Sequence, residues 1–224
     1  LDLKNANAMS KFLAPEALRG SGGILLSSEG KRFVDELGTR DWVSRQILEH
    51  GKSIVGLDGA TGPVGVLMIL SKNAVIQFNE KIIGFYKYKG LIKSYKGVKE
   101  LCSETGLPYD TTVDTLTEYS KFKDNDKDKF GKLLFLNNDF LNSEEIFGMW
   151  VTPVLHYTMG GLSFNSKGEI LDEKGNVIDG LYGAGEVTGG LHGANRLAGN
   201  SLLECVVFGR IAGKSAATMS ARRA

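Results

Sequence analysis

A glycine-rich tract near the C-terminus constrains the fold of this chain more than any other feature. Seven glycines lie within the 25 residues of segment 180–204, which also carries Glu186 and Arg196. Glycine has no Cβ atom, so such a backbone can approach a flat ligand closely. A helix is predicted to begin where the tract ends, and its free N–H groups would point back toward that ligand. The spacing alone leaves a second interpretation open, a glycine-rich turn before a buried helix.

The tract does not match the dinucleotide-binding fingerprint GxGxxG. Thr188 stands where the third glycine after Gly183-x-Gly185 would be, and the tract lies far from the first strand–helix turn of a βαβ unit. One interpretation of the tract is contact with the far end of a flavin, and a glycine-rich turn before a buried helix stays the alternative. Glu186 would hold ribose hydroxyl groups. The backbone of residues 201–202 would meet the pyrimidine edge of the ring, because a helix N-terminus favours the negative charge of the reduced ring.

Composition places the chain among ordinary soluble globular proteins. Its 224 residues, 42% hydrophobic and 24% charged, suit one large domain or two small ones. The net charge of +1 gives no electrostatic case for nucleic acid or an acidic membrane surface, and no apolar run is long enough to span a bilayer. Two distant cysteines and three scattered histidines predict neither a disulfide framework nor a metal site. We expect a soluble intracellular protein, and the compartment, a mitochondrion or another organelle included, stays open.

Turn residues and apolar periodicity predict the N-terminal elements of an α+β fold. Pro15 suits the first turn of a short helix or turn over residues 11–20. The strands 24–26 and 32–34 are predicted to form a hairpin. Residues 53–84 mix β-branched residues with glycine and predict no definite element. The other predicted elements are a helix over 39–50, an ordered core edge over 79–88, helices over 97–105 and 111–123, and a solvated surface loop over 121–132.

The C-terminal part predicts a β-meander and a long helix. Residues 162–178 contain short apolar runs separated by turns rich in Asn, Lys and Gly. Ser201 and Glu204 have the spacing of a capping box at the start of the helix. The helix is predicted to run to about Arg222, and two glycines four residues apart on it predict close packing of another backbone.

Three groups of side chains carry candidate chemistry. His156 follows an apolar run and precedes a Gly-Gly turn, so it is either a ligand-binding group or a satisfied core residue. Arg196 is flanked by small residues and either binds an anion or caps a loop. Glu16, Arg19 and Arg40 form a charge set that is either functional or an ordinary surface ion pair. The residue types alone leave these alternatives open.

Five motifs, in order along the chain, resemble the fumarate reductase and succinate dehydrogenase flavoproteins, and above all the soluble, flavocytochrome-like fumarate reductases. They are Ala14-Pro-Glu-Ala-Leu-Arg-Gly20, Glu29-Gly-Lys-Arg-Phe-Val34, Thr39-Arg-Asp41, His156-Tyr-Thr-Met-Gly-Gly161 and the tract 180–204. The steps of 24 residues from Glu16 to Arg40 and of 40 residues from His156 to Arg196 are also similar to the family's spacing. The resemblance spans nearly the whole chain and favours the flavin interpretation.

The resemblance implies a role for each matching residue. Arg40 is similar to the arginine that protonates fumarate, and Glu16 and Arg19 are similar to the relay that returns its proton. Arg40 and Glu16 also belong to the implied substrate site, with His156 and Arg196 holding the substrate carboxylates. The residues similar to flavin contacts are Gly185, Glu186, Arg196, Gly199, Asn200, Ser201 and Leu202. The implied cofactor is FAD and the implied substrates are fumarate and succinate, while the electron donor stays open.

The resemblance also implies a division into a capping domain, residues 1–150, and the C-terminal part of an FAD-binding domain, residues 151–224. The Rossmann-like half that holds the pyrophosphate lies outside this sequence, so we expect the chain alone to be inactive and to bind FAD weakly or not at all. Pro15 departs from the family, because most relatives have a substrate-binding threonine there. A urocanate reductase, a 3-ketosteroid dehydrogenase, an aspartate oxidase and an inactive module stay open as alternatives.

Overall fold

The computed structural model describes residues 2–123 and 125–223, and the fold is of the mixed α+β class. The helices and strands form two compact units, which we call the first unit (Leu1–Val154) and the second unit (Leu155–Ala224). The predicted fold class is confirmed at this level.

An antiparallel sheet forms the centre of the first unit. Its strands are β1 (Ile24–Leu26), β2 (Lys52–Val55), β3 (Thr61–Ser71), β4 (Lys93–Tyr95) and β5 (Ile146–Val151). The strand order is β1-β3-β5-β4, and β2 pairs with the beginning of β3. Ile69 of β3 lies opposite Ile24 on one side and opposite Gly148 on the other. The unit is therefore assembled around β3.

Both faces of this sheet are covered. Successive side chains of a strand point to opposite faces. Val66, Met68 and Leu70 belong to the core cluster on one face, whereas Leu67 and Ile69 belong to the cluster on the other. The sequence of β3 is a continuous apolar run here because neither face meets water.

Helices cover the two faces of the sheet. Their bounds are α1 (Glu16–Gly20), α2 (Arg40–His50), α3 (Lys72–Phe78), α4 (Glu80–Tyr88), α5 (Val98–Thr105) and α6 (Tyr109–Ser120). Helices α1 to α4 contribute residues such as Leu18 and Val43 to the cluster that contains Met68. Helices α5 and α6 contribute to the opposite cluster, where Leu101 and Leu116 are fully buried.

The ends of these helices follow from their local sequence. α2 begins after Thr39, whose backbone is extended, and ends at Gly51, whose N–H donates to the carbonyl oxygen of Ile47 at 2.8 Å. A Cβ atom at Gly51 would lie 2.5 Å from that oxygen, so the helix end requires glycine. α5 ends at Gly106, whose left-handed backbone, with φ 74°, also favours glycine. The start of α2 is important for the candidate site, because the first residue of this helix is Arg40.

The second unit is a short β-meander followed by a long helix. Its elements are β6 (Glu169–Leu171), β7 (Val177–Tyr182) and α7 (Asn200–Arg223). The ring of Phe208 on α7 packs edge-on against Phe164, with 4.9 Å between ring centres. A Cβ atom at Gly168 would lie 2.9 Å from that of Ala212, so the helix approaches the turn before β6 closely. Neither α7 nor any other helix among the described residues is long and apolar enough to cross a bilayer.

Several predicted elements are confirmed. The helices predicted over 39–50, 97–105 and 111–123 correspond to α2, α5 and α6, and the predicted meander and long helix correspond to β6, β7 and α7. α6 buries Leu116 and Tyr119. Within 11–20, the helix begins only at Glu16. Caps and apolar spacing within each element carry these predictions.

The predicted hairpin is wrong. β1 exists, but residues 32–34 form no strand, and β1 pairs with β3 instead. The reason is burial, because Arg32 is enclosed among carboxylates while Phe33 and Val34 enter the core. Residues 53–84 contain β3, α3 and the beginning of α4, and the predicted core edge 79–88 is the helix α4.

The sequence predicts a solvated surface loop over residues 121–132. This prediction is wrong for part of the segment, because two of its charged side chains are buried. Asp128 is 6% exposed and Lys132 is 1% exposed. Asp128 pairs with Arg32, and Lys132 pairs with Glu36, which makes their burial tolerable. Asp124, within the same prediction, lies outside the described residues.

The predicted capping box is also wrong. α7 begins at Asn200, and the Glu204 side chain bonds to Tyr157 and His192 instead of capping the helix. The two glycines of α7, Gly209 and Gly213, do not pack closely in the part of the chain that the structure describes, since no atom lies within 4 Å of the Cβ position at either residue. Close packing of α7 occurs at Ala212 instead.

Candidate functional site

The first unit brings the predicted relay residues together at the starts of two helices. Glu16 is the first residue of α1, and Arg40 is the first residue of α2. The Nε atom of Arg40 lies 3.5 Å from Oε1 of Glu16, and Nη2 of Arg19 lies 3.7 Å from the same oxygen. These are ion-pair distances, longer than close hydrogen bonds. One carboxylate oxygen thus lies near two guanidinium groups.

Pro15 stands directly before this set and starts α1. Its backbone is extended, and its carbonyl oxygen accepts a hydrogen bond from the N–H of Leu18 at 3.0 Å. Proline has no N–H and no side-chain donor. The position therefore serves the helix start and offers no donor to a substrate.

Arg19 is the inner member of the set. Its side chain is 12% exposed, against 40% for Glu16 and 32% for Arg40. Burial lowers the pKa of the Arg19 guanidinium, and the carboxylates of Glu16 and Glu36 oppose that shift. Arg19 also donates a hydrogen bond from Nη1 to the backbone carbonyl oxygen of Glu36. The guanidinium is therefore held at two points, by Glu16 and by Glu36.

In the second unit the glycine-rich tract runs parallel to the segment at Gly161 and Leu162, where Leu162 and Thr188 form a β-bridge. The N–H of Leu162 donates to the carbonyl oxygen of Val187 at 2.9 Å, and the N–H of Gly189 donates to the carbonyl oxygen of Leu162 at 3.0 Å. A Cβ atom at Gly161 would lie 2.5 Å from the oxygen of Val187, and one at Gly189 would lie 2.6 Å from the nitrogen of Gly161. Residues without a Cβ atom are required where the two backbones lie this close together.

The predicted flavin contacts lie along this tract and at the start of α7. Glu186 is exposed, and its Oε1 atom accepts a hydrogen bond from the N–H of Thr158 at 3.0 Å. Gly199, with φ 80°, stands immediately before α7, which begins at Asn200. The remaining contacts are Gly185, in the turn before Glu186, and Ser201 and Leu202, in the first turn of α7.

These residues fit the ribose and ring end of an FAD group. The exposed carboxylate of Glu186 can accept hydrogen bonds from ribose hydroxyls. The N–H groups at the start of α7 suit a ring edge that gains negative charge, and Leu202 beside them is 78% exposed. The sequence contains no complete GxGxxG turn for the pyrophosphate. A flavin site built from these residues would be partial, and their assignment as flavin contacts stays a prediction.

The predicted substrate-binding groups of the second unit have different surroundings. His156 is exposed. Arg196 is 5% exposed, and its guanidinium carbon lies 4.3 Å from the centre of the Tyr157 ring, a cation–π distance. Its Nη1 atom donates to the carbonyl oxygen of Leu197 at 3.0 Å. The neighbouring residues thus fix the orientation of Arg196.

Sequence reasoning missed a polar cluster beside Arg196. Glu204 is 3% exposed, and its carboxylate accepts a hydrogen bond from the Tyr157 hydroxyl and lies 2.7 Å from Nε2 of His192. Burial and the hydrogen bond to Glu204 raise the pKa of Tyr157 to about 12, so this hydroxyl stays protonated at neutral pH. The capping-box interpretation of Glu204 concealed the cluster, although a histidine and a glutamate flank the helix start in the sequence.

Comparison with known proteins places the chain among flavoproteins. A family model described as an FAD binding domain matches residues 1–202. The chain is similar to a fumarate reductase of Schizosaccharomyces pombe, with 44% identity over 100% of this chain and 41% of the relative. It is also similar to fumarate reductase 1 of Saccharomyces cerevisiae, with 39% identity over 97% of this chain and 45% of the relative.

Among solved structures, the open conformation of a flavocytochrome c3 fumarate reductase is similar to this chain, with a TM-score of 0.66 and 33% sequence identity. The match covers 94% of this chain and 35% of that structure. The chain thus spans less than half the length of each of these relatives.

Proposed function

The chain belongs to the fumarate reductase flavoprotein family, and from this premise we propose that it is part of a flavoprotein that reduces fumarate to succinate. Residues 1–150 would form the capping domain, and residues 151–224 would form the C-terminal part of the FAD-binding domain. Since the chain spans 41% and 45% of its two fungal relatives, the complete activity is assigned to the longer protein.

The observation that carries the proposal is the position of Glu16 between Arg19 and Arg40. Reduction of fumarate requires an acid that protonates the carbon next to the one that receives a hydride. Arginine is a weak acid in water, with a pKa above about 12. Its deprotonated form is therefore unfavourable, and an arginine that gives up a proton must regain one at once. The Glu16 carboxylate, 3.5 Å from Arg40 and 3.7 Å from Arg19, supports such a return path.

The substrate would be held by cationic and hydrogen-bonding groups, because fumarate is a dianion. An arginine binds a carboxylate through two parallel hydrogen bonds. In the proposal Arg196 and His156 bind the substrate carboxylates, with Arg40 and Glu16 at the reacting carbon. Polarising one carboxylate lets negative charge build toward it as the double bond is reduced. Tyr157, which stacks on Arg196, supports this assignment by fixing the guanidinium.

FAD, when bound, supplies the hydride. This chain would contribute the ribose contact of Glu186 and the N–H groups at the start of α7, which would stabilise negative charge on the ring. The residues proposed to hold FAD are Gly185, Glu186, Arg196, Gly199, Asn200, Ser201 and Leu202. The pyrophosphate would be held by the part of the flavoprotein that lies outside this chain.

Arg40→Lys in the complete flavoprotein tests the proposal. Lysine offers a point charge without the planar fork, so fumarate reduction is expected to fall by about 10³-fold or more while FAD content stays normal. Arg45→Lys is the matched control, since Arg45 lies on the same helix and pairs with Asp41 at the surface. The control is expected to retain wild-type turnover.

The proposal fails if Arg40→Lys turns over fumarate within about tenfold of wild type, a barrier change below about 1.4 kcal/mol. Glu16→Gln gives a second reading of the same relay. It is expected to lower turnover more than substrate binding, because the carboxylate is proposed to move protons. Weaker binding with unchanged turnover would make Glu16 structural.

Pro15 favours a second candidate, a sister flavoenzyme that reduces another unsaturated acid. Because proline offers no donor at this position, one contact to a dicarboxylate would be missing. A substrate panel on the complete protein separates the two candidates. Faster turnover of a monocarboxylate than of fumarate would favour the sister enzyme.

A further inference from the structure

The first unit buries a set of charged side chains next to Arg19, which we call the buried charge cluster: Arg32, Glu36, Asp128 and Lys132. Each is at most 8% exposed, and Glu36 is fully buried. Arg32 donates to the two oxygens of Glu36 at 2.8 and 2.7 Å, and to Asp128 at 2.8 Å. Lys132 donates from Nζ to Oε2 of Glu36 at 2.9 Å. The cluster therefore ties the segment 32–36 to the segment 128–132.

The buried charge cluster is electrically balanced, with two cations and two carboxylates. Burial raises the pKa of Glu36, but the hydrogen bond from Arg32 and the charge of Lys132 lower it by more. Burial lowers the pKa of Arg32 and of Lys132, but Glu36 raises both above their ordinary values. These three groups are thus charged at neutral pH. Removing one member would leave an uncompensated charge inside the unit.

The cluster reaches the relay through the backbone of Glu36. The carbonyl oxygen of this residue accepts the hydrogen bond from Arg19, while its carboxylate accepts hydrogen bonds from the cluster. The chain then passes through a tight turn, in which the N–H of Gly38 donates to the carbonyl oxygen of Asp35 at 3.1 Å, and enters α2 at Arg40. Glu36 thus supplies the carbonyl oxygen that binds Arg19, and its side chain anchors the backbone that leads into Arg40.

We infer that Glu36, held by Arg32 and Lys132, is a positioning residue for proton return through Arg19 and Glu16 to Arg40; this inference rests on the proposed function. Its carbonyl oxygen holds one side of the Arg19 guanidinium so that the other side faces Glu16. Glu36 touches none of the reacting atoms, so it acts on the rate through geometry. A displacement of about 1 Å in such a set costs about 100-fold in rate.

Glu36→Gln in the complete flavoprotein tests the inference. Glutamine keeps the size of the side chain and removes the charge that holds the two cations. We expect kcat for fumarate to fall about 10- to 100-fold, while KM changes by no more than about twofold and FAD content is unchanged. Because proton return then limits turnover, the solvent deuterium isotope effect on kcat should rise above the wild-type value.

A buried apolar variant controls for lost stability. Leu101 is fully buried in the opposite core cluster, so Leu101→Ala should destabilise the unit while leaving the isotope effect unchanged. Should Glu36→Gln fail to fold, Lys132→Met and Lys132→Arg provide the same comparison. The methionine variant should raise the isotope effect, and the arginine variant, which keeps the charge, should not.

The inference is overturned if Glu36→Gln keeps the wild-type kcat and isotope effect, or if Leu101→Ala raises the isotope effect equally. Failure of the proposed function looks different. In that case the wild-type flavoprotein, loaded with FAD, would reduce no fumarate, and both proposals would fall. Wild-type turnover with an unaffected Glu36→Gln variant would contradict the positioning role alone.

Discussion

The first unit has an apolar core on both faces of its sheet, although it also exposes large hydrophobic side chains such as Met9, whereas the second unit buries few apolar side chains. Among the described residues of the second unit, the buried hydrophobic side chains are Ile170 and Ala212. Its large exposed hydrophobic side chains are Leu155, Leu162, Val177, Ile178, Leu181, Val187, Leu191, Leu197, Leu202, Leu203, Val206 and Val207. In the described part of the second unit the exposed large hydrophobic side chains therefore outnumber the buried ones.

The two units therefore have different requirements for stability. The sheet of the first unit, with α1 to α6 around it, has its own core. The helix α7 has open space beside Gly209 and Gly213, and Leu203 on it is 57% exposed. We expect the part of the flavoprotein outside this chain to cover that face.

Separate expression of the two units should give the largest contrast. Residues 1–154 are expected to unfold cooperatively with heat, because this segment is long enough to bury a core that is stable alone. Residues 155–224 are expected to show no cooperative transition, since they bury few apolar side chains. Near-ultraviolet circular dichroism during heating measures both. A cooperative transition in the second fragment would remove the contrast.

A matched pair of leucine truncations should give the next largest effect. Leu101 on α5 is fully buried, and Leu203 on α7 is 57% exposed. In this chain Leu101→Ala should cost about 2–5 kcal/mol of unfolding free energy, whereas Leu203→Ala should change it by about 0.5 kcal/mol or less. Urea titrations provide the values. Equal losses in the two variants would show that the exposed face of α7 is already packed.

The dependence of stability on pH that Glu36 gives the first unit should be the smallest effect. The folded-state pKa of Glu36 is lowered, so the stability it contributes is present above its unfolded pKa of about 4.3 and is lost as pH falls through the folded value. Its contribution to the slope is at most about 1.4 kcal/mol per pH unit. Glu36→Gln should flatten this acid limb in urea titrations. An unchanged slope would mean that Glu36 is not ionised in the folded state.

Local signals made α2 predictable, whereas the centre of the sheet was not. Thr39 lies directly before the helix with an extended backbone. Gly51 lies directly after it, and its backbone N–H donates a hydrogen bond back to the last turn. The run 66–70 in β3 is buried on both faces, so its sequence lacks the alternation that separates strand from helix. The partner of β1 is β3, more than 40 residues away in the sequence, and Arg32 is buried; local sequence patterns indicate neither.

The candidate site divides in the same way. Glu16, Arg19 and Arg40 were found from motifs and spacing, and the structure places them within ion-pair distance. Glu36 and Lys132 went unnoticed, because 96 residues separate them and each resembles a surface charge on its own. The roles of the relay residues and of the substrate and flavin contacts stay predictions.

Flavin binding by the purified chain is the most direct test of whether the chain carries only part of an FAD site. The claim is that residues 1–224 carry the ribose and ring contacts of an FAD site without the pyrophosphate turn. FAD should therefore bind weakly or not at all, measured by visible absorbance after purification and by fluorescence titration with added FAD. The complete flavoprotein, as control, should retain FAD. A yellow chain with stoichiometric FAD would contradict the account.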